Sequence, residues 1–110
     1  MAENNGTKRA LGMLGLAMKA GKVVIGTEQV IAFLKKERLK LVLLSGTASE
    51  GTKKKIGFKC EFYKTRVYEV AVDADELGRL LGKTYSPAAV GITDENFSNV
   101  IAKHLDGENA

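Results

Sequence analysis

Apolar positions along the chain follow two periods that take turns. Over residues 8–20, KRALGMLGLAMKA, Leu11, Leu14, Ala17 and Met18 recur three and four apart, as one buried helix face requires. Thr7 stands where that helix needs a cap, and Gly21 where it stops. KVVI, residues 22–25, is too short and too β-branched for a helix and reads as a buried strand. After Gly26 the helical period returns in TEQVIAFLKKER, residues 27–38, with Val30, Ile31, Phe33 and Leu34 apolar. Lys35, Lys36 and Arg38 close it, cations at the end where they suit the helix dipole. KLVLLSG, residues 40–46, is an unbroken apolar run of strand length and predicts the central strand.

The second half repeats the alternation. TASEGTKKKIGFKCEF, residues 47–62, predicts a helix capped by Ser49, although Gly51 and Gly57 lower its propensity. RVYEVAV, 66–72, alternates as a strand. Asp73 or Asp75 then caps ADELGRLLG, 74–82, which Gly82 ends. AAVGIT, 88–93, follows Pro87 as a strand, and Asp94 caps a last helix over ENFSNVIAKHL, 95–105. The polar ends, 1–6 and 106–110, are expected to be flexible tails.

Strands alternating with helices over 110 residues predict one α/β domain spanning 1–110. Its expected form is a three-layer α/β/α sandwich around a four-stranded mixed sheet. Val24, Ile25, Leu41, Val42, Leu43, Val90 and Ile92 are its expected core. In such sheets ligands gather where strands end and helices begin. The turns at Gly26, Ser45–Ser49 and Val72–Asp75 are all of that kind, so one shared rim is the expected location of a site.

Charge adds a direction to this picture. The net charge is +4, but residues 1–59 hold twelve Lys/Arg against four Asp/Glu, and residues 60–110 hold five against nine. Such asymmetry suits a polyanion-facing side, with an ordinary solvated surface as the alternative. One cysteine and one histidine exclude a disulfide framework and the usual zinc ligand sets. No apolar run approaches the ~20 residues of a membrane span, and MAENNGTKRA lacks the apolar stretch of a secretory signal. A cytoplasmic, reduced, monomeric protein is the expectation.

Enzyme chemistry finds little support. Neither G-x-G-x-x-G after the first strand nor G-x-x-x-x-G-K-[ST] occurs. His104 reads as a partly exposed structural histidine, and Cys60 as a thiol without a nearby base. Asp73, Asp75 and Glu76 are explained by a helix start. No catalytic residue, metal or cofactor is predicted.

The Gly26 turn offers more. A helix starting there points unpaired N–H groups outward, and its positive end favours phosphate. Thr27 offers a hydroxyl, Glu28 and Gln29 offer groups for base edges, and Lys19, Lys22, Lys36 and Lys53 to Lys55 offer phosphate contacts. A plain capping turn, with Thr27 as cap, is the competing reading.

AGKVVIGTEQVIAFLKKERLKLVLL, then VDADELGRLLG and AAVGIT, together resemble the ribosomal L7Ae/L30e family, most of all its small bacterial YlxQ-type members. The similarity runs from about Leu11 to Leu105. It implies an α/β/α sandwich that binds RNA, in many members the kink-turn, a sharply bent duplex with a short bulge flanked by sheared G·A pairs. Carried over, the RNA-reading segment is Gly26, Thr27, Glu28 and Gln29, set in the major groove beside the G·A pairs. The resemblance further implies that the loop before the fourth helix, Ala71 to Ala74 and so Val72, Asp73 and Ala74, packs against the bulged nucleotides. Many members carry Asn-Glu in place of Glu28-Gln29 and a lysine in place of Ala32. The implied function is non-enzymatic RNA binding of ribosome-associated or regulatory type. A protein-interaction module on the same fold is the alternative, as acidic branches of the family show.

Overall fold

A computed structural model describes residues 5–108, folded as α1 (Asn5–Lys19), β1 (Val23–Ile25), α2 (Thr27–Lys35), β2 (Leu41–Leu44), α3 (Glu50–Tyr63), β3 (Arg66–Glu69), α4 (Ala74–Leu80), β4 (Ala89–Ile92) and α5 (Glu95–Glu108). The four strands form one mixed sheet in the order β1-β4-β2-β3. β4 is antiparallel to both β1 and β2, and β2 is parallel to β3. The predicted order of elements and the fold class are those observed.

Period-2 alternation along β2 divides the core. Leu41 and Leu43 face one side with Ala10, Leu14, Leu77, Ile101 and Leu105, beneath α1, α4 and α5. Val42 and Leu44 face the other with Val30, Leu34, Ile56 and Cys60, beneath α2 and α3. Strands buried on both faces need apolar residues at every position, which LVLL and AVGI supply. β1 differs from the expectation. Val24 and Ile25 are only half-buried, because β1 is an edge strand with β4 on one side alone.

Helix ends differ from the sequence reading in local detail. α1 begins at Asn5, so Thr7 is a buried residue of its first turns, not its cap. α2 ends at Lys35; Lys36 is its C-cap and Glu37 takes φ +55°, which returns the chain to Leu39. Ser49, Asp73 and Asp94 accept from the backbone N–H of Thr52, Glu76 and Phe97 at 3.1, 2.8 and 2.8 Å, the capping geometry expected of them. The strand predicted over 66–72 ends at Glu69. α5 runs on to Glu108, and the Tyr68 hydroxyl donates to Asp106 Oδ1 at 2.7 Å, which ties this last turn to the sheet. Residues 106–108 are therefore helical, whereas 1–4 and 109–110 of the expected tails lie outside the described residues.

Candidate nucleic-acid interface

Strand pairing gathers the predicted turns at one end of the sheet. β1 and β2 both finish where β4 begins, since Ile25 pairs with Val90 and Leu44 with Ala89. The pairing continues past the strands. Gly26 N–H donates to the Ala89 carbonyl at 2.8 Å, Ser45 N–H to Ala88 at 2.9 Å, and Gly46 N–H to Val72 at 2.7 Å. The rim thus reads Gly26, Ala88, Ser45, Val72 in spatial order.

Gly26 is the N-cap of α2, with φ 105° and ψ 148°, a region that only glycine occupies without strain. No side chain caps this helix, so Thr27 is its first residue and not its cap. The first intrahelical bond is Val30 N–H to the Gly26 carbonyl at 2.9 Å, which leaves the amides of residues 27–29 pointing out of the helix end. Apart from the adjoining residues of the chain, nothing described lies within 4 Å of where a Gly26 Cβ would stand, so the space before the helix is open. Glu28 and Gln29 are exposed beside it. The rim starts of α3 and α4 are closed by Ser49 and Asp73, and the Ala74 N–H donates to Thr47 Oγ1 at 3.1 Å.

The structure does not bring all the predicted residues together. Val72, Asp73 and Ala74 share the rim but sit beside β3, three strand spacings from β1, or about 14 Å. Lys22 lies at the opposite end of β1, where its carbonyl accepts from Thr93 N–H at 2.9 Å. Lys36 closes α2, about 13.5 Å from the helix start at 1.5 Å per residue. Its ammonium stands over the Phe33 ring, 5.9 Å from the centroid.

Sequence reasoning missed the segment nearest to Gly26. The α4–β4 connection delivers Ser86, Pro87 and Ala88 to the rim between β1 and β2, with Tyr85 exposed at its outer edge. The Ser86 hydroxyl donates to Asp75, which anchors this loop to α4. Gly78 lets the two approach, since a Cβ there would collide with the Tyr85 carbonyl. Pro87, the chain's one proline, was the available signal.

Cys60 is buried under α3, and burial pushes its thiol up from 9.0 to about 11. That suits a core side chain and opposes a nucleophile. His104 is half-buried on α5. No helix among the described residues is long and apolar enough to cross a membrane.

The profile of the "Ribosomal protein L7Ae/L30e/S12e/Gadd45 family" matches residues 8–102. The chain is 43% identical over 94 residues to "RNA-binding protein YlxQ" of Bacillus subtilis, covering 86% of this chain and 92% of that one. It is 37% identical over 108 residues to the protein of the same name from Enterococcus faecium, covering 97% and 100%. Among solved structures, a Bacillus halodurans protein of unknown function superposes with a TM-score of 0.83 at 36% identity, covering 88% of this chain and 96% of that one. The Giardia lamblia 15.5kD RNA binding protein superposes with 0.78 at 13% identity, covering 99% and 92%, a likeness of fold.

Proposed function

The chain belongs to the ribosomal protein L7Ae/L30e/S12e/Gadd45 family, and from that premise we propose that it is a non-enzymatic RNA-binding protein that recognises sharply bent, kink-turn-like RNA. The observation that carries this reading is the start of α2. It is uncapped, glycine-led, open in front and flanked by the exposed Glu28 and Gln29. Backbone N–H groups and the helix dipole there suit phosphate, while the two side chains suit base edges in a widened groove.

Val72, Asp73 and Ala74 serve as the far wall of the same rim, with Ser86–Ala88 between the two. Lys22 and Lys36 act as outlying phosphate contacts for a duplex arm that runs down the α2 side. Partners are ribosomal or other structured RNA, with the ribosome as the setting suggested by relatives such as the large-subunit protein eL30 of Methanocaldococcus jannaschii, 31% identical over 77% of each chain. The proposed compartment is the cytoplasm, the proposed state a monomer, and no cofactor is required.

The test is a titration of the protein against a kink-turn RNA and a bulge-free duplex of equal length, each at two salt concentrations. Tighter binding to the kink-turn, with a salt slope set by the phosphates contacted, is the expected result. Equal affinity for both RNAs would leave a sequence- and shape-blind cationic surface instead.

A further inference from the structure

The outer side of α3 carries a feature that the rim does not use. Phe58 and Phe62 are 70% and 75% exposed, one turn apart on the same side of the helix. Ile56 and Cys60 already anchor α3 to the sheet, so these two rings do no packing work there. Tyr63 meets Phe62 edge-on with ring centroids 4.8 Å apart, and together with Phe58 and Lys59 they line a shallow recess. Lys54 and Lys55 are exposed one turn before Phe58, and Lys59 borders the same recess. Lys53 turns away to Glu69 at 3.1 Å, and Glu61 is the one acid between Gly51 and Tyr63.

We propose that this face of α3 is a stacking platform for single-stranded RNA, with bases on Phe58 and Phe62 and phosphates on Lys54, Lys55 and Lys59. The proposal rests on the RNA-binding reading above and extends it to an unpaired strand. Aromatic faces spaced along a cationic surface are what single strands recognise without regard to sequence. Two rings offer roughly 300–500 Å² at most, short of the ~800 Å² per partner of a stable protein interface. A second copy of the chain would set these lysines against their own kind. α3 also starts on the rim, and Phe58 lies nine residues past Ser49, about 13.5 Å, so a strand leaving rim-bound RNA meets the platform.

The experiment titrates a labelled single-stranded adenine oligomer of about ten nucleotides, a length within known single-strand site sizes, and a tail-free kink-turn RNA. Both are measured against the unmodified chain, Gly26→Val, the double change Phe58→Leu/Phe62→Leu and the double change Phe58→Ala/Phe62→Ala. Both rings are solvent-exposed, so the double variants should keep the melting temperature of the unmodified chain. Oligomer affinity should fall at least about tenfold in both double variants, leucine failing because it keeps apolar area but lacks a π-face. Gly26→Val should leave oligomer binding unchanged, and neither double variant should alter the tail-free RNA. If the oligomer binds this way while the kink-turn is not preferred, the platform stands and the rim reading fails. Oligomer affinity insensitive to both rings, full activity of the leucine variant, or ring-dependent dimerisation in sedimentation would each overturn the platform.

Discussion

The backbone N–H of Gly26 donates to the Ala89 carbonyl at 2.8 Å, and this bond fixes the start of α2 against the first residue of β4. The helix start is therefore held by the sheet itself, not by a capping side chain, and its position depends on a backbone conformation that strains other residues. Gly26→Ala should lose about 1–3 kcal/mol of stability, since a side chain is strained at φ 105° whatever the space around it. Gly21→Ala is the matched control, because Gly21 also has positive φ, 74°, but at the other end of β1. Urea melts of both should show a loss. Only the Gly26 change should also weaken kink-turn binding; equal weakening by both would assign the effect to instability.

Gly78 is a second glycine with a positional reason. A methyl group there meets the Tyr85 carbonyl and the Pro87 ring, neither of which can retreat without moving the α4–β4 connection. Gly78→Ala should cost about 1–3 kcal/mol as overpacking. If Ser86–Ala88 belongs to the RNA surface, the same change should reduce kink-turn preference while leaving oligomer binding on α3 intact. A displaced loop with unaltered RNA affinity would remove this segment from the interface.

Val42 is fully buried in the central strand, packed beneath α2 and α3. Val42→Asp puts a carboxylate among the apolar side chains beneath α2 and α3, a cost comparable with the roughly 5–15 kcal/mol that keeps a domain folded. The variant should be unfolded at ordinary temperature by circular dichroism. A cooperative melt for it would contradict the two-sided burial of β2.

Cys60 gives a pH dependence. Its folded pKa of about 11 lies above the ordinary 9.0, so the folded state keeps a proton that the unfolded state loses first. This contribution is whole below about pH 9 and declines between 9 and 11, at up to roughly 1.4 kcal/mol per pH unit. Stability of the unmodified chain should fall more steeply over that window than that of Cys60→Ala. Parallel curves would mean that the thiol is hydrated in the fold.

How much of this was legible in the sequence depends on distance along the chain. LVLL at Leu41–Leu44 announces a two-sided strand because every position is apolar, and Ser49, Asp73 and Asp94 announce their caps because capping acts over three residues. The half-burial of β1 was hidden, since an edge position is fixed by sheet order and not by composition. Lys22 and Lys36 looked adjacent to Gly26 because they are near in number. A strand and a helix separate such neighbours at fixed rises per residue, and both elements lead away from the rim. The closeness of Ala88 to Gly26 was hidden for the opposite reason: it follows from the antiparallel pairing of Val23–Ile25 with Val90–Ile92, distant in sequence.

The residues flanking the α2 start separate base reading from phosphate contact. Both Glu28 and Gln29 are exposed on the first turn, where a negative charge suits the helix dipole but opposes an approaching phosphate. Gln29 is neutral and carries both donor and acceptor, so its truncation removes discrimination and leaves the general attraction. Gln29→Ala should lower the preference for a kink-turn over a plain duplex by ~1–3 kcal/mol, with little change in salt slope. Lys36→Ala should instead weaken both RNAs alike and reduce the slope by roughly one unit, if a duplex arm reaches the end of α2. Glu28→Asn removes the acid and supplies the amide that the family resemblance implies at this position. It should tighten kink-turn binding or leave it unchanged, because an amide both accepts and donates at a base edge without repelling phosphate. A weaker kink-turn complex in Glu28→Asn, with duplex affinity unchanged, would show that the carboxylate itself accepts from a base amino group and that this chain reads the bend through a contact of its own.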